Sequence, residues 1–198
     1  MIKNLFIATS NAGKLEELTA LLRLPGLSLV TPRTASIELE VEESGSTYLE
    51  NALLKANAYC QASGLACLGD DTGLEVEALG GLPGLRSARF TGDANASDHE
   101  RRQLLLSRLA DHPRPWKARF VCWVVLALPN GERHSAAGMC EGEIIPQERG
   151  TNGFGYDSIF LFTHIGKTMA ELTLVEKNRL SHRAKAVQAM LPNLEQRS

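Results

Sequence analysis

The sequence predicts an α/β protein, and three observations support that fold class. The apolar run Leu5–Thr9 is followed by a turn, by leucines at the spacing of one helical face, and by a second apolar run at Leu27–Val30. A further strand is predicted at Leu65–Gly69, after another helical segment. An Asn-Gly pair inside Pro129–Glu132 separates two long strand-like runs and predicts a β-hairpin. The sheet is therefore expected to mix parallel and antiparallel pairs.

Helix starts are marked by capping signals. Thr47 and Glu50 have the spacing of a capping box, as do Ser97 and Glu100, so helices are expected to begin at both places. The last helix is expected to start at Thr173–Glu176 and to continue as one helix through Met190, because its apolar residues stay broadly on one side.

Composition limits the classes of function. The 198 residues are enough for one core or for two small lobes that share a sheet, and we treat residues 1–198 as a single domain. The net charge of −2 provides no basic field, which argues against a nucleic-acid polymer as partner. The longest apolar stretch, Phe120–Pro129, is roughly half as long as a membrane span, which argues against a membrane protein. The N-terminus has no secretory signal pattern, and we expect a cytoplasmic protein.

The cysteines indicate no covalent or metal framework. Cys60, Cys67, Cys122 and Cys140 include no Cys-x-x-Cys pair and lie among apolar or small residues. Reduced, buried thiols are expected rather than disulfides or a zinc site.

The first candidate site is the segment between the first strand and the first helix, which consists of Thr9, Ser10, Asn11, Ala12, Gly13 and Lys14. A turn at a helix N-terminus offers backbone N–H groups and a positive dipole end, and Lys14 adds a full charge. These features suit a phosphate chain, although the Walker A pattern is absent. An ordinary helix start with a solvated lysine explains the segment equally well.

The second candidate site is acidic. Asp70 and Asp71 follow an apolar strand, and ligands of α/β sheets collect beyond the carboxyl ends of strands. Glu43 lies in an acidic loop and, with the aspartates, supplies the oxygen ligands that Mg²⁺ prefers. Sharing of one ion by Asp70 and Asp71 requires the strand to have ended, and a Thr72-Gly73 turn is expected to end it. A polar turn is the simpler alternative.

Two further segments carry polar or aromatic groups in unusual density. Phe154, Gly155, Tyr156 and Asp157 are expected to expose a ring face for a base to stack on, or else to form a turn packed on its own core. The last helix carries Lys177, which is long enough to reach a phosphate or a base, and the donor groups of Ser181, His182 and Arg183.

Together these segments resemble the inosine triphosphate pyrophosphatase family, and in particular its bacterial RdgB-type enzymes. The resemblance is carried by ordered motifs along almost the whole chain: Ala8–Lys14, Glu50-Asn51-Ala52, Lys55-Ala56, Asp70–Leu74, Leu79–Gly84, Ser87-Ala88-Arg89, Gly153–Asp157 and Ser181-His182-Arg183. The resemblance implies two α/β lobes around a long mixed sheet flanked by helices, an active-site cleft between the lobes, and a homodimer.

The resemblance also implies roles for individual residues. Asp71 matches the catalytic proton acceptor and metal ligand, and Glu43 and Asp70 are expected to share Mg²⁺ with it. Thr9, Ser10, Asn11, Ala12, Gly13 and Lys14 match the phosphate loop. The remaining substrate contacts match Thr72, Phe154, Gly155, Tyr156, Asp157, Lys177, His182 and Arg183. Ser158 departs from the family pattern, which often has proline there.

The expected activity is hydrolysis of ITP, dITP and XTP to nucleoside monophosphate and pyrophosphate. Arg183 and His182 are expected to donate to the 6-oxo group of the base, which adenine lacks. Two alternatives remain: a Maf-like pyrophosphatase with another base preference, and a nucleotide-sensing module without turnover. The cluster of acids favours an enzyme over a sensor.

Overall fold

A computed structural model describes residues 2–37, 39–93 and 95–195 of the chain. Its helices are α1 (Ala12–Leu21), α2 (Pro32–Ala35), α3 (Tyr48–Ser63), α4 (Asp98–Leu109), α5 (Leu174–Leu180) and α6 (His182–Glu195). Its strands are β1 (Asn4–Ile7), β2 (Ser28–Val30), β3 (Ala66–Val76), β4 (Pro83–Gly84), β5 (Trp116–Ala127), β6 (Arg133–Ile144), β7 (Phe160–Phe162) and β8 (Lys167–Thr168). Among the described residues, no helix combines the length and the apolar character needed to cross a bilayer.

The strands form one mixed sheet in the order β2-β1-β3-β5-β6-β7-β8, with β4 paired to β3. β1 is parallel to both β2 and β3, whereas β7 is antiparallel to both β6 and β8. A short loop joins β5 to its neighbour β6, and in that loop the Gly131 N–H donates to the Leu128 carbonyl at 3.0 Å. The predicted α/β class, the mixed sheet and the hairpin are confirmed.

The chain divides into two compact units, each built from separate stretches of sequence. The first unit contains the described residues up to Asp71, the stretch Cys122–Gly138 and the described residues from His182 onward. The second unit contains Thr72–Val121 and Met139–Ser181. Strands β3, β5 and β6 each begin in one unit and end in the other.

Each unit has its own apolar core. In the first unit, Leu68 and its neighbours on one face of β3 pack with α1 and α6, while Cys67 and the opposite face pack with α3. In the second unit, alternate residues of β3 and β5, such as Leu74 and Phe120, pack with Leu105 of α4. Strict alternation along β3 therefore assigns every second residue to one side of the sheet.

The predicted caps are confirmed. Thr47 accepts a hydrogen bond from the Glu50 N–H at the start of α3, and Ser97 with Glu100 forms a complete capping box at α4. Asn11 caps α1, so the helix begins at Ala12. This start lies inside the segment Thr9–Lys14 that was expected to precede the helix.

The last helix differs from its prediction. A single helix was expected, but α5 ends at Leu180, Ser181 adopts an extended conformation (φ −71°, ψ 157°), and α6 begins at His182. Serine side chains favour helix ends because they form local hydrogen bonds that compete with the helix. Because of this break, the side chains before and after Ser181 point in directions that one continuous helix would not allow.

Gly69 allows β3 to pass close to α3. A Cβ atom at Gly69 would lie 2.5 Å from the Ala52 carbonyl oxygen and 2.8 Å from the Ala56 backbone nitrogen. Because both neighbours are backbone atoms of one helix, neither can move aside alone. Gly69 thus sets the distance between α3 and the strand segment that carries Asp70 and Asp71.

Gly69→Ala is expected to lower the free energy of unfolding by about 1–3 kcal/mol, because overpacking against backbone forces the helix and strand apart. Urea denaturation measures the change. The double variant Gly69→Ala with Ala56→Gly tests the cause: it removes the Ala56 methyl group but leaves the backbone contacts, so it should not restore stability. Full recovery would show that the clash involves side chains only.

Candidate active site

Asp70 and Asp71 lie inside a strand rather than in a turn after it. From the sequence, the strand was expected to end at Gly69, and a Thr72-Gly73 turn was expected to bring both carboxylates to one ion. This prediction is wrong, because β3 continues without interruption from Ala66 to Val76. Successive residues of a strand face opposite sides of the sheet, so the two carboxylates have separate surroundings.

Asp71 faces α3 and the loop before it. The Asn51 side-chain amide donates to Asp71 Oδ2 at 3.3 Å, and Lys55 Nζ donates to Asp71 Oδ1 at 3.3 Å. Lys55 Nζ also donates to Glu43 Oε1 at 2.6 Å. Asn51 and Lys55 are four residues apart and therefore share one helix face. The ammonium group of Lys55 links the carboxylates of Glu43 and Asp71.

Burial and charge shift the pKa values in this cluster. Burial is the largest influence on Asp71 and raises its pKa; Lys55 and Lys14 oppose the shift, and the negative charges of Glu43 and Asp70 add to it. For Lys55, burial acts to lower the pKa, but the three carboxylates outweigh it and the pKa is raised. Lys55 therefore stays charged. A carboxylate with a raised pKa is a stronger base once it is ionised.

Lys55 was not among the functional residues predicted from the sequence. It appeared only within the Lys55-Ala56 motif of the family resemblance and received no role. A signal was present, because Lys55 follows Asn51 by four residues on a helix that also buries Ala52 and Ala56. A lysine beside the apolar face of a helix either extends its ammonium group to water or pairs it with an anion.

Asp70 faces α1 and α6 and belongs to a buried cluster of charges. Lys14 Nζ lies 3.0 Å from Asp70 Oδ2, and the Nε and Nη2 atoms of Arg183 both donate to the same oxygen at 3.3 Å. Arg183 Nη1 forms an ion pair with Glu17. The Arg183 side chain is 1% exposed. Two cations and two anions thus neutralise one another away from water.

The charges in this cluster stabilise the ionised forms of its members. Burial acts to raise the pKa of Asp70, but the nearby Lys14 and Arg183 outweigh it and hold the pKa well below its usual value. Burial likewise acts to lower the pKa of Arg183, and Glu17 and Asp70 raise it overall. Asp70 is therefore a permanent anion that fixes two cations, and it is unsuited to accept a proton near neutral pH.

The Arg183 side chain has different neighbours from those expected. A contact between its guanidinium and the substrate base was expected, but the structure places the group against Asp70 and Glu17. The predicted substrate contact of Arg183 stays a prediction. His182 is 3% exposed at the start of α6, and Thr72 is partly exposed on β3. Their predicted substrate contacts likewise stay predictions.

The predicted phosphate loop is ordered by its own polar groups. Thr9 Oγ1 accepts from the Asn11 N–H at 3.2 Å, and Asn11 Oδ1 accepts from the Lys14 N–H at 2.9 Å. Lys14 thus uses its backbone N–H for the cap of α1 and its ammonium for Asp70. Ser10 and Asn11 are exposed at this helix start. The loop has a fixed shape and a cation directly beside it.

In the second unit, the aromatic loop is tied to Lys177. Asp157 Oδ2 accepts from the Phe154 N–H at 2.9 Å and from Lys177 Nζ at 2.5 Å. Lys177 Nζ also lies 5.0 Å from the centroid of the Phe154 ring. Gly153 is required here, because a Cβ atom would meet Asp157 Oδ2 at 2.1 Å. The structure therefore brings together Phe154, Asp157 and Lys177, whose predicted substrate contacts stay predictions.

Tyr156 does not expose a ring face. Its side chain is 4% exposed and belongs to the core of the second unit, and its hydroxyl donates to the Ser87 carbonyl at 2.9 Å. Of the two alternatives for this loop, packing on its own core holds for Tyr156. Phe154 is only partly buried.

The acids do not form a closed metal cage. Within residues 2–37, 39–93 and 95–195, no group of three or more His, Cys, Asp or Glu side chains is arranged to hold a metal ion. The expected trio of Glu43, Asp70 and Asp71 divides because Asp70 faces the opposite side of β3. Glu43 and Asp71 remain together around the Lys55 ammonium group.

Comparison with known proteins finds close similarity along nearly the whole chain. The Ham1 family matches residues 5–193. A dITP/XTP pyrophosphatase of Thermus thermophilus is 47% identical over 186 residues, covering 93% of this chain and 88% of that protein. A second dITP/XTP pyrophosphatase, from Exiguobacterium sibiricum, is 45% identical and covers 94% of both chains. A solved HAM1 protein from Coxiella burnetii superposes with a TM-score of 0.88 at 38% identity over 100% of both chains.

Asp70→Asn is expected to reduce the free energy of unfolding by about 3–5 kcal/mol at neutral pH, because it leaves Lys14 and Arg183 buried without their shared anion. The lowered pKa of Asp70 means that its stabilisation is present above the pKa of the unfolded chain and is lost as pH falls. The difference between wild type and variant should therefore shrink below about pH 4. Urea denaturation over a pH series measures it, and a difference that is independent of pH would contradict this role.

Proposed function

This chain belongs to the Ham1 family, and we propose that it hydrolyses non-standard purine nucleoside triphosphates, namely dITP, XTP and ITP, to the nucleoside monophosphate and pyrophosphate. It is a nucleoside triphosphate pyrophosphatase, as its dITP/XTP pyrophosphatase relatives are. The family predicted from the sequence is confirmed. The Maf-like and sensing alternatives are not favoured. The observation that carries the proposal is that the Glu43 and Asp71 carboxylates lie together around the Lys55 ammonium group.

In the proposed reaction, water adds to phosphorus and the bond between the α- and β-phosphates breaks. Asp71 takes the proton of the water as a general base. The leaving pyrophosphate carries away the electron pair of the broken bond. Asn51 holds the second oxygen of Asp71, so the carboxylate keeps a fixed orientation.

We propose that Mg²⁺ is held by Glu43 and Asp71. The donor set fits the ion, because two carboxylates from one side leave room for waters and substrate phosphates, which Mg²⁺ usually keeps. The Lys55 ammonium between these carboxylates shows that their charge attracts a cation. Asp70, the third predicted ligand, is left out because it faces the other side of β3 and neutralises Lys14 and Arg183. When bound, Mg²⁺ would neutralise negative charge on the phosphates.

We propose that the segment Thr9–Lys14 binds the phosphate chain. Its support is the exposed start of α1 beside the ammonium group of Lys14, since helix N-termini attract anions. Asp70 holds that ammonium in place before substrate arrives. A positioned cation loses less side-chain entropy on binding than a freely moving one.

We propose that Phe154 and Lys177 contact the purine base. The partly exposed ring of Phe154 offers a surface for stacking, and the Lys177 ammonium beside it has hydrogen-bond donors only. A 6-oxo base presents an acceptor to such a group, whereas the 6-amino group of adenine presents a donor. This interpretation moves the discrimination against ATP from Arg183 to Lys177.

We propose that the enzyme works as a homodimer in the cytoplasm. Four buried cysteines are typical of a reducing compartment. The homodimer is supported by the family resemblance, and sedimentation velocity of the purified protein tests it directly.

Asp71→Asn is expected to reduce kcat by ~10²–10⁴-fold with the fold intact, because it removes the proton acceptor. The assay incubates enzyme, Mg²⁺ and either XTP, dITP, ITP or ATP, and chromatography identifies the products. Monophosphate plus pyrophosphate is expected from the first three and very little from ATP. Asp111→Asn, at an exposed aspartate, is the matched control. Diphosphate plus phosphate as products, or an Asp71→Asn enzyme within about tenfold of wild type, would refute the assignment.

Lys14→Met is expected to weaken binding of a non-hydrolysable ITP analogue far more than binding of inosine, because only the triphosphate carries the charge that Lys14 attracts. Calorimetry measures both affinities. Lys3→Met serves as control, since Lys3 is exposed near the same end of the chain. An equal loss of affinity for both ligands would assign the loop another role.

A further inference from the structure

We propose that Asp98 and Arg102 of α4 are positioning residues that hold the Phe154 loop in the shape needed for base selection. This inference rests on the proposed contact between Phe154 and the base. Neither residue belonged to the candidate sites identified in the sequence. We call the two side chains, together with the Gly155 peptide groups that they bind, the Gly155 clamp.

The clamp satisfies both backbone groups of Gly155 from one helix. The Asp98 Oδ2 atom accepts from the Gly155 N–H at 2.7 Å, and Arg102 Nη1 donates to the Gly155 carbonyl at 2.7 Å. Asp98 and Arg102 are four residues apart on α4, so both side chains leave the same face. Both bonds involve a charged group, which makes them stronger than bonds between neutral partners.

Further ion pairs fix the clamp residues themselves. Arg101 Nη2 donates to Asp98 Oδ1 at 2.5 Å, which leaves Asp98 Oδ2 for Gly155. Arg102 Nη2 lies 2.8 Å from Glu148 Oε2, and the Ser158 hydroxyl donates to the same carboxylate oxygen at 3.1 Å. The Arg102 side chain is 14% exposed. Each clamp residue therefore has a defined orientation independent of any ligand.

The loop needs such a clamp because of its glycines. Gly153 and Gly155 flank Phe154, and both have positive φ values, 75° and 62°. A glycine visits many backbone conformations, so a chain with glycine on both sides of Phe154 would present the ring in many orientations. Asp157 fixes the loop at the Phe154 N–H, and the clamp fixes it at the next peptide. The Phe154 ring is thereby held between two anchors.

Because the clamp acts on Phe154 through the loop backbone, its loss should produce a specific kinetic pattern. Asp98 and Arg102 bind Gly155, Arg101 and Glu148, none of which is proposed to take part in the chemical step, so that step should be unaffected once substrate is bound. Loss of the clamp should instead raise KM and reduce the preference for XTP over ATP. A merely structural role of α4 would change stability without this pattern.

The test compares Arg102→Met and Asp98→Leu with wild type, using XTP and ATP. KM for XTP should rise by about tenfold to hundredfold, with kcat within about threefold, because the base-contacting ring is misplaced. Arg102→Lys should recover part of the loss, since it keeps a donor. Gln103→Met, at the exposed neighbouring position of α4, is the matched control and should match wild type. Circular dichroism verifies folding. Asp98→Leu, which keeps the branched shape of the side chain but accepts no hydrogen bond, provides the answer if Arg102→Met does not fold.

A double-mutant cycle separates this inference from the proposed function. If the clamp acts through Phe154, then Arg102→Met should add little to the KM change of Phe154→Ala. The effects of two substitutions are not additive when one residue acts through the other. Fully additive changes, or an unchanged KM in both clamp variants while Phe154→Ala raises it, would overturn the clamp. An unchanged KM in Phe154→Ala would instead overturn the proposed base contact.

Discussion

The alternation of side chains along β3 is the constraint on which the proposed active site depends. Because the strand continues through Asp70 and Asp71, the two adjacent carboxylates lie on opposite faces of the sheet. One carboxylate meets Lys55 and Glu43, and the other meets Lys14 and Arg183. Identical side chains thus acquire opposite properties: burial dominates at Asp71 and raises its pKa, while two nearby cations lower the pKa of Asp70.

This division of charge also explains how the protein tolerates so many ionised groups in its interior. A buried ion is costly unless partners neutralise it and form hydrogen bonds with it. On the α1 and α6 face, the anions Asp70 and Glu17 balance Lys14 and Arg183. On the α3 face, Glu43 and Asp71 outnumber Lys55, which leaves an excess of negative charge. An excess of that sign is what the proposed Mg²⁺ bound to phosphates would neutralise, and the other face has no such excess.

The second unit solves a different problem, which is how to fix a loop rich in glycine. Positive φ values at Gly153 and Gly155 permit the sharp course of the backbone, but they also make it flexible. Side chains compensate for this flexibility. Asp157, within the loop, and Lys177 hold it on one side, and Asp98 and Arg102, which are distant in sequence, hold it on the other. Tyr156 packs into the core between them, while Phe154 stays at the surface. Polar contacts to the backbone therefore hold the loop on both sides of the Phe154 ring.

The sequence by itself determined the α/β class, the hairpin and the helix starts, because apolar period, Asn-Gly turns and capping residues act over a few neighbouring residues. It also determined the family, since the ordered motifs from Thr9 to Arg183 need no geometry to be recognised. Only the tertiary structure decided that β3 continues past Gly69, because pairing with β5 and packing against α3 outweigh the turn preference of Thr72-Gly73. It likewise decided that Ser181 interrupts the last helix, that Tyr156 is core, and that Lys55 and Arg183 bind carboxylates distant in sequence. Charge pairs of this kind have no characteristic spacing in the sequence, because the fold brings their partners together from distant parts of the chain.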